Sequence, residues 1–349
     1  MRDLHLLISG VGAFAISVAA LFALRPIAYA VNLLDRPGGH KTHHGVVPIV
    51  GGLGMLFGVL FGVVSQPGAL GPLQQYLFSA ILLVVVGMLD DRFDLAPGLR
   101  LIAQFAAVLP MFFGAGVRLT SFGDLLGIGP LDVAPYSLVA TVVVTMAAIN
   151  AFNMLDGLDG LAGGVALVSA GLMLAVFGQS ADPGIAHLLA ALCGAIGGFL
   201  VFNLPVQWNR GVRCFMGDAG STLLGFTLAW VTIGSSQGPL RMASPVAMVW
   251  LVAVPATDLV WTVLRRLARG QSPAHADNEH LHHMLLRAGF GVRAVFVNLI
   301  GIALLLASAG LYLDRARAPD WESFALLLVS GAALAFTCSR IHGYVRSSP

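Results

Sequence analysis

The chain has 349 residues, of which 57% are hydrophobic and 10% charged, with a formal net charge of +2. A soluble protein carries about 25% charged residues, so this composition excludes a water-soluble globular domain, and so small a net charge points to no nucleic-acid partner. Runs of about 20 apolar residues cross a bilayer, and a mean hydropathy of +0.86 predicts an all-α polytopic integral membrane protein.

Hydropathy divides the chain into about eleven spans, near 4–24, 46–64, 76–89, 99–115, 136–153, 160–178, 185–203, 220–236, 245–264, 293–313 and 322–341. The first lacks a small-residue cleavage site and runs into Arg25, so it reads as a retained span rather than a signal peptide. With the N-terminus outside and the C-terminus in the cytoplasm, 14 of the 19 Lys and Arg fall on the inner side, the distribution the positive-inside rule favours. The longest outer connection, 116–135, has glycine turns that predict a small β-hairpin. The inner connections, about 25–45, 90–98, 150–160, 203–220 and 265–292, carry the acidic and imidazole side chains. No internal repeat interrupts 1–349, which reads as a single transmembrane domain. Cys193, Cys214 and Cys338 are too scattered for a disulfide framework or a metal motif.

Ionisable groups beside a bilayer are costly, so clusters of them in this chain are candidates for function. The first inner connection holds Lys41, the only lysine in the chain. It is a candidate phosphate contact or a topology signal, between His40 and His44, which have no defined role. Asp90 and Asp91 close the third span, and Asp94 would share a face with Asp90 if the helix continued. Packed carboxylates repel unless a cation intervenes, and Mg²⁺ with phosphate oxygens is the usual solution. Asn150, Asn153, Asp156 and Asp159 recur every three residues, with Gly157 and Gly160 between and after the acids. Their amide and carboxylate oxygens suit a hard cation and sugar or nucleotide hydroxyls, although Asp159 could instead cap the next helix. Gly217-Asp218-Ala219-Gly220-Ser221 precedes the eighth span. Glycines before a helix N-terminus make amides available to phosphate, and Asp218 could hold a metal. In the last inner loop His280, His283 and Arg287 would line one helical stripe, with His282 between. These imidazoles suit sugar or phosphate recognition, or zinc. Arg265 and Arg266 are membrane anchors or clamps on a diphosphate.

Together these residues, from Asp35 to Arg287, resemble the polyprenyl-phosphate N-acetylhexosamine-1-phosphate transferase family in motif order and spacing. The likeness is nearest to the bacterial branch that moves N-acetylglucosamine-1-phosphate (GlcNAc-1-phosphate) from UDP-GlcNAc to undecaprenyl phosphate. The resemblance implies Asp90 and Asp91 as an essential pair near the acceptor phosphate. It places Asn153, Asp156 and Asp159 in the nucleotide and metal region and makes Asp218 a Mg²⁺ ligand. His280, His282, His283 and Arg287 match the branch's His-x-His-His loop, associated with the amino sugar. The segment Asn203 to Arg213 departs from the pattern, and Trp208 and Arg210 in it receive no role.

The expected enzyme therefore uses Asp90, Asp91, Asp156 and Asp159 as catalytic carboxylates and Asp218, Asn153 and Asp91 around Mg²⁺, with Mn²⁺ as a replacement. Lys41, Asn150, Arg265, His280, His282, His283 and Arg287 would bind substrate. Its setting would be a bacterial inner membrane with the site on the cytoplasmic face, initiating a lipid-linked surface glycan such as O-antigen; a homodimer is a further expectation. The lipid phosphate is itself a competent nucleophile, so direct attack is favoured, and a phospho-aspartyl intermediate stays open. Two other classes remain at this stage. A Mg²⁺-dependent prenyltransferase would use Asp90-Asp91-Arg92-Phe93-Asp94, and a cation-coupled transporter would use buried carboxylates.

Overall fold

The apolar runs fold as helices because a lipid-facing backbone must satisfy its own hydrogen bonds. The computed structural model describes residues 2–35, 45–65, 70–178, 182–206, 212–239, 241–273 and 279–347. His40, Lys41, His44, Trp208 and Arg210 lie outside the described residues.

The helices are α1 (Arg2–Val31), α2 (Gly51–Val64), α3 (Leu70–Phe93), α4 (Pro97–Leu109), α5 (Ser137–Leu155), α6 (Leu161–Phe177), α7 (Pro183–Asn203), α8 (Gly217–Ser236), α9 (Pro245–Leu251), α10 (Ala253–Ala268), α11 (Leu281–Arg287), α12 (Val292–Arg315) and α13 (Asp320–Ser347). A short antiparallel ribbon, β1 (Leu34–Asp35) with β2 (Val47–Pro48), joins α1 to α2. Among the described residues seven helices are long and apolar enough to cross a membrane, or eight if the bent pair α9–α10 is one span. The protein is therefore mostly helical, with the build of a multi-pass membrane protein.

That count falls short of about eleven for identifiable reasons. Helices α2 and α6 are apolar but shorter than a full span. The run near 245–264 is not one helix: α9 and α10 meet at an angle of 87°. Pro255 has no N–H for the Leu251 carbonyl, which breaks the helical ladder there. Helix α8 is long enough, but it carries Gly, Ser and Thr and is buried along nearly its whole length. It packs against α2, α3 and α5, and a helix screened by protein needs no lipid-facing stripe.

Glycine makes this close packing possible. A Cβ at Gly52 of α2, Gly87 of α3 or Gly225 of α8 would lie 2.3, 2.5 or 2.6 Å from backbone of the facing helix. Helices α1, α2 and α7 form a second tight group, and there a Cβ at Gly194 would fall 1.9 Å from the Gly10 carbonyl oxygen. The outer faces keep their large side chains exposed, among them Leu7 and Val11 of α1, Phe78 of α3, Ile102 of α4 and Val329 of α13, the surface a bilayer would cover.

At the end of the bundle holding the α4–α5 connection, the expected hairpin over 116–135 is reduced to one antiparallel bridge between Ser121 and Asp132. A side chain does the work of a partner strand: Gln237 Oε1 accepts from the amides of Thr120 and Ser121, each at 3.0 Å, and its Nε2 donates to Ser121 O at 3.1 Å.

Candidate active site

At the opposite end of the bundle α3 and α5 stop and α8 begins, which brings three acidic motifs together. Helix α3 ends at Phe93, and Asp94 takes a left-handed φ of 51°. Asp94 is therefore exposed and does not stack on Asp90 as a continuing helix would require. Asp90 is buried; its Oδ1 accepts from Leu95 N at 2.8 Å and its Oδ2 from Arg100 Nη1 at 3.0 Å. The same guanidinium lies 3.5 Å from Asp218 Oδ2. Arg100 is thus the counter-charge shared by two motifs.

Asp91 reaches across to α8. Its Oδ1 accepts from Asp218 N at 2.8 Å and its Oδ2 from Ala219 N at 3.4 Å. Gly217 has φ +69°, and a Cβ there would fall 2.4 Å from Asp91 Oδ2, so only glycine fits under the carboxylate. This corrects the expectation that the α8 amides stay open to phosphate: Asp91 already caps them. On the other side of Asp218, Asn153 Nδ2 donates to its Oδ1 at 2.5 Å and to Ser221 Oγ at 3.1 Å. The β1–β2 ribbon is tied to the same corner, because Phe215 N donates to Pro48 O at 2.9 Å and Gly51 N to Phe215 O at 2.9 Å.

Asp156 follows the last turn of α5. Burial, then the charges of Asp218 and Asp91, push its carboxyl well above the ordinary range. Asp218 is pushed up to about 7, first by burial and then by Asp90 and Asp91, against the relief of the Asn153 hydrogen bond. Four carboxylates from α3, the α5 end and α8 therefore meet here, and Arg100 pairs with two of them, Asp90 and Asp218. Among the described residues no three His, Cys, Asp or Glu side chains form a ready-made metal cage. Excess oxygen donors without a closed cage fit Mg²⁺, which is usually held by one or two carboxylates together with substrate phosphates. Asp218, Asp156 and Asp91 are the residues that would hold it, with Asn153 fixing Asp218.

Two members of the second motif turn elsewhere. The Asn150 Nδ2 donates to Gln104 Oε1 of α4 at 3.0 Å and to Met146 O at 2.7 Å. That commits it to packing α5 on α4 rather than to a position beside Asn153. Asp159 is not the cap of α6; it pairs with Arg213, whose guanidinium lies 5.6 Å from the Phe215 ring centroid. The α6 start is held instead by Asn203, which accepts from Gly160 N at 2.7 Å and donates to Cys214 O at 2.9 Å. Asn203 and Arg213 thus join the α5–α6 and α7–α8 connections within the segment that sequence reasoning left without roles.

The histidine loop closes over these connections. Helix α11 starts at Leu281, so His280 is its N-cap residue rather than part of a helical stripe with His283 and Arg287. His280 Nδ1 lies 3.0 Å from Asp258 Oδ2. The His282 ring is fully buried and rests on Gly157, where a Cβ would meet its Nε2 at 2.3 Å. Its centroid is 4.1 Å from that of His283 and 6.1 Å from that of His280. Burial, then His283 and His280, hold the His282 pKa well below the usual imidazole value, so this ring is neutral. Arg287 is exposed in the last turn of α11. Arg265 is not poised over a diphosphate: Nη1 donates to Glu279 O at 2.6 Å and Nε is 3.0 Å from its carboxylate, while Arg266 Nη1 donates to Pro273 O at 2.6 Å. Both brace the loop against α10.

The sequence has counterparts among known proteins. The profile described as glycosyl transferase family 4 matches residues 73–236, the stretch carrying all the acidic motifs. The protein called undecaprenyl-phosphate alpha-N-acetylglucosaminyl 1-phosphate transferase in Yersinia pestis is 38% identical over 318 residues, 91% of this chain and 87% of that one. The protein of the same name in Salmonella typhi is 35% identical over 331 residues, 95% of this chain and 90% of its own. Its namesake in Haemophilus influenzae is 35% identical over 321 residues, covering 92% and 89%. With likeness at this level along nine-tenths of its length, the chain belongs to glycosyl transferase family 4.

Proposed function

We propose that the protein transfers GlcNAc-1-phosphate from UDP-GlcNAc to undecaprenyl phosphate, giving GlcNAc-diphospho-undecaprenol and UMP. An oxygen of the lipid phosphate attacks the β-phosphorus of the donor. The new P–O bond completes the lipid diphosphate, and the bond from the β-phosphorus to the bridging oxygen breaks to release UMP. The observation that carries this reading is the meeting of Asp91, Asn153, Asp156 and Asp218 under the histidine loop. It is supported by relatives whose name states this activity. Those names favour neither the prenyltransferase nor the transporter.

Bound Mg²⁺ would offset the negative charge that gathers when two phosphates meet. The chain's own residues do the rest. Asn153 and the α8 start orient Asp218, Asp91 fixes that start, and Arg100 and Arg213 lie where anionic oxygens would approach. Asp90, with both oxygens already engaged, holds Arg100 and the α3–α4 turn rather than presenting a free base. Asp156, a buried carboxyl raised above the ordinary range by burial and by Asp218 and Asp91, completes the oxygen-donor set beside Asp218. Direct attack needs no covalent aspartyl stage. The imidazoles and Arg287 recognise the amino sugar and its phosphate, and Lys41 retains its reading as a phosphate contact.

The same reading sets the protein in a bacterial inner membrane as one domain. It has eleven crossings if α2, α6, α8 and the bent α9–α10 pair each traverse or re-enter, with the N-terminus outside and the site in the cytoplasm. The test is UMP release from UDP-GlcNAc by purified protein with undecaprenyl phosphate, with and without Mg²⁺. Release requiring both lipid and metal supports the proposal; none from folded protein overturns it.

A further inference from the structure

Asp258 sits in the second turn of α10, in a stretch that reads as plain apolar span, and its side chain is wholly buried. An isolated buried carboxylate is very unfavourable unless donors surround it. Here both oxygens are met by the histidine loop: Oδ1 accepts from Leu281 N at 2.8 Å, and Oδ2 lies 3.0 Å from His280 Nδ1. A carboxylate can only accept, so Nδ1 is the ring nitrogen that carries the proton. Thr262, one turn along α10, places its hydroxyl 3.4 Å from the same nitrogen. One acid therefore fixes both the start of α11 and the ring orientation of the residue before it. Two residues on, His282 is fully buried over Gly157 with neither ring nitrogen hydrogen-bonded. Among the described residues no hydrogen bond fixes that ring, so beyond its packing on Gly157 and His283 it depends on the anchored end of the loop.

We infer that Asp258 is a positioning residue: acting through His280 Nδ1–H and Leu281 N–H, it sets the histidine loop so that His282 lies over the Asp156–Asp159 turn. The inference rests on the transferase reading for what the loop recognises, but the Asp258–His280 link stands apart from it. Fixing an imidazole through its second nitrogen is how outer-shell carboxylates act on site histidines, and losing such a partner costs about 10- to 100-fold.

The test compares wild type, Asp258→Asn, His280→Gln and the double variant, following UMP release with each substrate varied. Asp258→Asn should lower kcat/KM for UDP-GlcNAc about 10- to 100-fold with KM for undecaprenyl phosphate unchanged. Because the asparagine oxygen can still accept from Leu281 N, the double variant should be no worse than His280→Gln alone. Unchanged donor kcat/KM in Asp258→Asn, or losses that multiply in the double variant, would overturn the inference. A second readout needs neither turnover nor a folded Asp258 variant. Nitrogen-15 NMR of histidine-labelled wild type in nanodiscs should show a hydrogen-bonded Nδ1–H resonance that disappears in His280→Gln. Its absence from wild type overturns the inference even if the enzyme is active. Its presence in a protein that releases no UMP from UDP-GlcNAc locates the failure in the donor assignment instead.

Discussion

Replacing Gly157 with alanine tests whether activity needs the His282 ring seated directly on the Asp156–Asp159 turn. Gly157 is outside the left-handed region of φ, so alanine brings no backbone strain of that kind and the effect is steric. Its Cβ would lie 2.3 Å from His282 Nε2 and 3.0 Å from Cε1. Ordinary contact begins near 3.4 Å, so the ring must retreat by about 1 Å in an interior packed without slack. A displacement of that size at a reacting site costs about 100-fold, or about 2.7 kcal/mol of barrier. Overpacking should lower stability by about 1–3 kcal/mol. The assay is UMP release at varied UDP-GlcNAc in nanodiscs, with thermal unfolding measured on the same samples. Gly171→Ala is the control, because a Cβ there meets nothing within 4 Å and alanine favours the helix by about 0.8–1.0 kcal/mol. It should keep full activity. A Gly157→Ala enzyme within twofold of wild type would refute the claim that activity depends on His282 lying close over this turn.

Asp218→Asn should abolish Mg²⁺-dependent turnover while the protein still inserts and unfolds cooperatively. Because Asp218 titrates at about 7 without metal, it is mostly protonated below that pH, and a cation bound there must expel the proton. Calorimetry in two buffers should show more protons released per Mg²⁺ at pH 6 than at pH 8, with the difference reduced in Asp218→Asn. Equal release from wild type and Asp218→Asn would remove Asp218 from the metal site. Asn203→Ala leaves Gly160 N and Cys214 O without their partner; a loss of about 1–3 kcal/mol is expected in chemical denaturation, and unchanged stability would show that the two connections are held otherwise. Gly194→Ala drives a methyl group to 1.9 Å from the Gly10 carbonyl oxygen. It should separate α1 from α7 and lower the unfolding temperature; an unchanged unfolding temperature would refute the tight packing.

The sequence showed where helices form, because apolar runs of span length leave few other options, and it showed the acidic site because its members are close along the chain. Asp90 with Asp91, and Asn153 with Asp156, could be read without knowing what they face. What it hid are relations across the bundle. Nothing along the chain marks Arg100 as the partner of Asp218, 118 residues away. Asp258 lay inside an apolar run, although a lone acid there is itself a signal. Pro255 marked the α9–α10 break in plain view, but hydropathy averages over single prolines. For Arg265 the sequence leaves anchor and diphosphate clamp open, because the nearness of Glu279 depends on how the loop folds back.

The acidic corner has a consequence for how anions enter it. Helix α8 begins with the glycine-rich turn that would ordinarily offer free amides to phosphate, yet Asp91 occupies the amides of Asp218 and Ala219. The helix end therefore stabilises a protein carboxylate instead of a ligand. Asp90, Asp156 and Asp218 crowd the same corner; burial and mutual repulsion raise Asp156 and Asp218, and Arg100, bridged between Asp90 and Asp218, offsets only part of the charge that a bound cation would expose by displacing their protons. Such a corner repels a diphosphate until another cation arrives. It follows that UDP-GlcNAc should bind far more weakly without Mg²⁺ than with it, and that Asp91→Asn should narrow this difference by removing one charge while keeping an oxygen that can still cap α8. Calorimetric titration of UDP-GlcNAc with and without Mg²⁺ measures both. Equal metal dependence in wild type and Asp91→Asn would mean that this carboxylate's charge does not control entry.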